Sequence, residues 1–298
     1  MFFNNKKRQM NKEYGGKKEE RAEKARHHTA YMDANHSQEI HDCIVTSKCY
    51  FETFQSPNVN RSKTKIPSIE LKATDTVSAL FDILDFQHVT GIDVGRIALL
   101  NFASFKNPGG KFIEGSSAQE ESLCHSSFLY NVLRHFDETI YARNRRNTNR
   151  GLYFNRAIYT PNILFFNPNP LIRSYYHTSN ADVITCAAPN RSIGKNRRPG
   201  EANYGDIPSE NENYKALYER CQFVLKVAQD NDVKTLVLGA FGCGVFAQNP
   251  YVVARIFTSL LSLADYSFDR VIFAVPNTGH SKDNYDAFYR AFTEFRIM

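Results

Sequence analysis

The chain predicts a three-layer α/β/α domain on a mixed, largely parallel sheet of about six strands, with an N-terminal helical extension. Three observations carry this expectation. From residue 66 onward, short apolar runs rich in β-branched residues alternate with amphipathic helical patterns. Two of those runs lead directly into glycine-rich loops, the places where open α/β sheets bind ligands. Residues 19–47 are rich in helix formers but carry only an irregular apolar face, so they stand outside the alternation.

Residues 1–18 read as a disordered basic tail, because Asn, Gln and Gly accompany the lysines. Residues 1–28 hold nine Lys/Arg against four Glu and so supply most of the net charge of +6. Such a run suits plain solvation, and also a weak nucleic-acid contact or a nuclear address. Residues 19–60 form the expected helical extension, with Ala22, Ala25, Tyr31, Met32, Ile40 and Ile44 on its face and a strand or loop at 49–54. Residues 61–298 form the main domain, with no internal repeat. Strands are expected at 66–74, 96–104, 162–167, 182–188, 235–239 and 270–275, and helices at 75–86, 117–136, 209–229 and 282–295. Ser209 and Glu212 have capping-box spacing, and Asn249-Pro250 has the chemistry of a further helix start. The stretch 190–208 is polar and follows neither period.

At 298 residues and 42% hydrophobic, the chain can bury a substantial core. No apolar run reaches the roughly 18 residues of a membrane span. No apolar stretch follows the early lysines, so neither a membrane contact nor a secretory signal is expected. The six cysteines (43, 49, 124, 186, 221, 243) show no C-x-x-C pair. That disfavours a structural metal or a disulfide framework and points to a reducing cytoplasm, or the nucleus of a eukaryote.

The chemistry concentrates in Asn107-Pro-Gly-Gly-Lys-Phe-Ile-Glu-Gly-Ser-Ser-Ala-Gln-Glu-Glu121, between an apolar strand and a helix. Its backbone amides suit a diphosphate, and a carboxylate beside them suits work on a glycosidic bond. Ser117 with Glu120 matches a capping box, so Glu120 has a purely structural alternative. Glu121, about 100° further round the helix, is not expected to fill that role. The second loop, Gly239-Ala-Phe-Gly-Cys-Gly-Val-Phe246, places three glycines between a strand and a helix. It lacks the Gly-Lys-Ser/Thr of a Walker loop, and Phe241 and Phe246 suit either a core or the cover of a ribose or base. Cys124-His125 point about 100° apart on a helix, so they do not form a nucleophile pair.

These residues together resemble the poly(ADP-ribose) glycohydrolases, the microbial type above all. Asn101-Phe-Ala-Ser-Phe-Lys-Asn-Pro-Gly-Gly-Lys-Phe112 with Gln119-Glu-Glu-Ser-Leu-Cys124 carries the likeness. So do Cys186-Ala-Ala-Pro-Asn190, the second loop with Asn249-Pro250, and Phe273-Ala-Val-Pro-Asn277. The resemblance spans about residues 20–296 and implies a macrodomain fold. It implies hydrolysis of the ribose–ribose bonds of ADP-ribose polymer, reversing ADP-ribosylation without metal or cofactor. Nearby alternatives are removal of single ADP-ribose units from protein or nucleic acid, and a reader that binds ADP-ribose without turnover. The implied catalytic residue is Glu121, with Glu120 orienting the ribose. The implied substrate contacts are Asn107, Gly109, Gly110, Gln119, Gly239, Phe241, Gly242, Cys243, Gly244, Val245 and Phe246. Both loops are expected to hold the diphosphate, and Phe246 to cover the ribose. Lys111 departs from the family's third glycine, and Ser104 from its usual Asn.

Overall fold

The computed structural model describes residues 2–55, 66–168, 174–194, 207–263 and 266–294, and the side chains of residues 2–15 are not described. The expected boundary near residue 60 and most of the polar stretch 190–208 lie outside the described residues. Seven strands form one sheet: β1 (Lys48–Tyr50), β2 (Ser68–Lys72), β3 (Ile97–Phe102), β4 (Ala157–Phe166), β5 (Thr178–Cys186), β6 (Thr235–Leu238) and β7 (Arg270–Ala274). Their order is β1-β4-β5-β3-β6-β7-β2. The β1–β4 and β4–β5 pairs are antiparallel and the other four are parallel. The three strands most relevant to function, β5, β3 and β6, therefore lie side by side, and their carboxyl ends open on the same edge.

The central strands are buried on both faces, as parallel strands between helical layers must be. Along β3, Ala98 and Leu100 enter one core while Ile97 and Leu99 enter the other. β7 alternates likewise, with Val271 and Phe273 opposed to Ile272 and Ala274. The first core is closed by α7 (Glu210–Asp230), α8 (Pro250–Leu263) and α9 (Lys282–Glu294) through Leu217, Val224, Phe257, Phe288 and Phe292. The second is closed by α1 (Phe2–Asn35), α2 (Ser37–Thr46), α3 (Thr76–Thr90), α4 (Gln119–His125) and α5 (Leu129–Leu133) through Met32, Ile40, Leu80, Leu123 and Val132. The expected caps are present. Ser209 Oγ accepts from Glu212 N–H while Glu212 reaches back to Ser209 N–H, and Asn249 Oδ1 accepts from Tyr251 and Val252 N–H.

Two expectations need correction. Residues 2–18, read as a disordered tail, continue α1, because the helix formers from residue 17 onward propagate it through the polar segment. The single helix expected over 117–136 is instead broken. After α4 and α5 the chain passes through a 3₁₀ turn (Arg134–Phe136) and a π turn (Asp137–Tyr141) into α6 (Ala142–Arg146). Ser127 explains the break: its hydroxyl donates to Leu123 O and accepts from Leu129 N–H, which diverts the backbone from the helical ladder.

Helix α1 is docked on the first glycine loop. Arg21 Nε donates to Gly115 O at 2.8 Å, His28 Nε2 lies 2.8 Å from Ser127 O, and Asn131 Nδ2 donates to Thr29 O at 2.9 Å. Gly115, at φ +80°, lies so close to Lys18 O that a Cβ there would collide with the helix backbone. The extension is thus packed against the segment that carries the acids.

Candidate active site

The two glutamates sit in the first turn of α4 and are nearly inaccessible, Glu120 at 3% and Glu121 at 5% exposure. Each is held by backbone. Glu121 Oε1 accepts from Lys111 N–H at 2.9 Å and Oε2 from Ala118 N–H at 3.0 Å. Glu120 Oε2 accepts from Ser104 N–H at 2.6 Å, and Oε1 accepts from Asn101 Nδ2 at 3.3 Å. Gly109 N–H also points at Glu120. The structural role foreseen for Glu120 therefore belongs to Glu121. The N-cap is Ala118, so the residue three positions on, which reaches back to the cap, is Glu121.

Loop residues 109–111 wrap the pair. Gly109 and Gly110 both take φ +64°. A Cβ on Gly110 would stand 2.6 Å from Glu121 Oε1 and 3.0 Å from Glu120 Oε2, so glycine is required there by conformation and by space. Lys111 is not left-handed. Its half-exposed ammonium faces Glu114 at 3.6 Å, so a lysine in place of the third glycine carries no backbone strain. Ser104 also fits, since its Oγ accepts from Lys106 and Asn107 N–H, the local turn an Asn would make. Asn107 is exposed, and its carbonyl accepts from Gly110 N–H.

The structure redistributes the anticipated roles. The N–H groups of Ser104, Gly109 and Lys111 point inward at the carboxylates, so the first loop cradles its own acids. The expected use of these amides on a diphosphate is not what this geometry offers. Gln119 is likewise committed to the fold: Oε1 accepts from Phe102 N–H at 2.9 Å, and Nε2 donates to Leu100 O and Thr76 Oγ1. It positions the acids on β3 and leaves no amide hydrogen for a ligand. Phe241 is fully buried against Phe102, and Gly239 abuts Ala274 O and the Phe102 ring, so neither presents a side chain to solvent. Cys243 lies against Phe241 O, and burial pushes its thiol up, away from reactivity.

The rest of the second loop is open. Among the described residues, the N–H groups of Gly244, Val245 and Phe246 donate to no protein acceptor, and Val245 is 78% exposed. Gly242 O and Gly244 O accept from Gln248 and Ala247 N–H, which fixes the loop at its far end. Phe246 is half-buried beside it. Along the same sheet edge, past β7 and β2, a cavity of about 350 Å³ is lined by residues including Thr74, Ser78, Asn277 and Thr278.

Burial pushes the Glu120 carboxyl up to about 8, and the neighbouring Glu121 adds to this, while the Ser104 and Asn101 donors oppose it. The sign for stability follows. Between the ordinary 4.5 and about 8, the folded chain holds a proton on Glu120 that the unfolded chain has released. Stability is fully present below the lower value and is lost as pH rises through the upper one. The expected result is a Tm that falls over that window, with a shallower slope in Glu120→Gln, measured by thermal melts in matched buffers.

Comparison with known proteins decides the family. The microbial-type PARG catalytic domain matches residues 18–168. The chain belongs to that family. Solved members share its fold. Poly(ADP-ribose) glycohydrolase from Thermomonospora curvata, bound to the inhibitor ADP-HPD, is 28% identical; the match covers 92% of this chain and 100% of that one, with a TM-score of 0.72. The enzyme from Deinococcus radiodurans, in complex with ADP-ribose, is 30% identical over 87% of this chain and 98% of that one, with a TM-score of 0.70. No curated protein matches the chain by sequence. Family membership makes the sheet a macrodomain-like one, and among the described residues no helix is long and apolar enough to cross a membrane.

Sequence reasoning missed Asn101, Phe105 and Tyr153. Asn101, fully buried, bridges Glu120 to Thr185 Oγ1. An asparagine inside an apolar strand was the available signal for it.

Proposed function

We propose that this chain is a poly(ADP-ribose) glycohydrolase that hydrolyses ribose–ribose O-glycosidic bonds and releases ADP-ribose. The observation that carries the reading is the buried acid pair held by backbone amides at the carboxyl edge of β3, one strand from a loop whose N–H groups at 244–246 have no protein acceptor among the described residues. Its solved family members are glycohydrolases, one of them seen with ADP-ribose.

In this reading the second loop holds the diphosphate through the N–H groups of Gly244, Val245 and Phe246. The cavity beyond β7 takes the adenosine end, and the Phe246 ring covers the reacting ribose. Glu121 gives its proton to the leaving hydroxyl oxygen as the bond from the anomeric carbon breaks, and that oxygen keeps the electron pair. The ribose is left oxocarbenium-like. Glu121, now ionised, takes a proton from water as the water oxygen bonds to the anomeric carbon. Glu120, held beside it by the Ser104 amide and Asn101, orients the ribose hydroxyls.

The direct test is to incubate the protein with poly(ADP-ribosyl)ated protein and follow free ADP-ribose. Steady release is expected. Binding of ADP-ribose without release would move the chain to the readers, and release only from singly modified targets would make it a mono-ADP-ribosyl hydrolase.

A further inference from the structure

One wall of the site is built by a turn without a recognisable motif. Asn149, Arg150, Gly151 and Tyr153 have φ of +46°, +55°, +89° and +59°. This backbone is rare for a tyrosine and persists only where the surroundings determine it. They do so here. Tyr153 N–H donates to Thr148 O at 3.2 Å, and Tyr153 O accepts from Asn149 Nδ2 at 3.2 Å. Asn190 N–H donates to Gly151 O at 2.7 Å. Behind the turn, the fully buried Arg220 donates to Leu152 O, to Ala187 O and to Asn155 Oδ1, which ties the turn to the end of β5.

The turn delivers one ring to one place. Tyr153 lies flat on Phe105, with centroids 4.0 Å apart and 8° between planes, and stands edge-on to Phe246 at 5.7 Å. Its hydroxyl accepts from Asn190 Nδ2 at 3.3 Å. Phe105 directly follows Ser104, whose amide holds Glu120, and Phe246 closes the second loop. At 6% exposure, Tyr153 meets Phe246 instead of open solvent. It is the strut between the acid-bearing loop and the phosphate-facing loop.

We propose that Tyr153 is a positioning residue that sets the Phe246 ring over the sugar and fixes the spacing of the two loops. This rests on the glycohydrolase reading. The test uses Tyr153→Asn, because asparagine tolerates left-handed backbone and so keeps the turn while losing the ring. ADP-ribose and ADP, which lacks the second sugar, are titrated against each variant. Affinity for ADP-ribose is expected to fall about 10-fold, the scale of one lost aromatic contact, while affinity for ADP stays unchanged. Tyr153→Phe retains the ring and recovers most of the ADP-ribose affinity. Phe105→Leu removes the other face of the stack without touching the turn and gives the same split between ligands, which keeps the test decisive should Tyr153→Asn not fold. Equal losses for both ligands, or no loss for either, would overturn the proposal. Wild-type protein that binds neither ligand would overturn the parent reading along with it, a signature distinct from failure of the positioning role alone.

Discussion

Glu121→Gln is expected to slow ADP-ribose release from polymer by about 10²–10⁴-fold, the range a positioned acid–base supplies, while ADP-ribose affinity stays within a few-fold. The contrast follows from where the residue sits. Its oxygens face the Lys111 and Ala118 amides at the rim of the first loop, whereas the diphosphate is assigned to the second loop. The amide substitute keeps one acceptor and turns an NH2 group toward one of those two donors. That mismatch costs about 1–3 kcal/mol of stability, visible as a lower Tm. Measuring single-turnover release beside ADP-ribose binding separates chemistry from fold. Release that survives Glu121→Gln at more than a tenth of the wild-type rate would remove Glu121 from the mechanism.

Gly110→Ala should cost nearly as much, without altering any ionisable group. Its Cβ would lie 2.6 Å from Glu121 Oε1 and 3.0 Å from Glu120 Oε2, so the loop or both carboxylates must shift. Displacement of about 1 Å at reacting groups is enough for a loss of roughly 10²-fold. The left-handed φ of +64° adds about 1–2 kcal/mol against alanine. The expected pattern is a large fall in kcat, a small change in KM and a lower Tm. A variant with unchanged kcat would show that the carboxylate positions seen here are not those used in turnover.

Much of the fold was legible because its signals are local. Strand–loop–helix alternation, the Ser209 box and the Asn249-Pro250 start are set by neighbouring residues, and each appears where it was expected. The acid pair was also legible, but the assignment of partners was not. Which glutamate caps α4 depends on whether the helix starts at residue 118 or at 119, a one-residue shift that propensity does not resolve. The antiparallel strand β4 was read less well. β4 begins at Ala157, five residues before the expected start, because its register is set across the sheet by β1 and β5. Tyr153 was illegible for a related reason. Asn149 and Gly151 suit left-handed backbone, but nothing announces it at Tyr153; Arg220, 67 positions further on, and Asn190 impose it.

The docking of α1 on Gly115 has a consequence in time. During synthesis the helix leaves the ribosome ahead of Gly115, Ser127 and Asn131, which receive it and follow about a hundred residues later. At roughly 5–20 residues per second, that is a wait of about 5–20 s. β3, at the centre of the sheet, then lacks its neighbour β6 until residue 238 has emerged. The acids are therefore in place on the chain long before the second loop can face them. The nascent protein is expected to gain ligand affinity only once Phe246, the end of the second loop, has emerged.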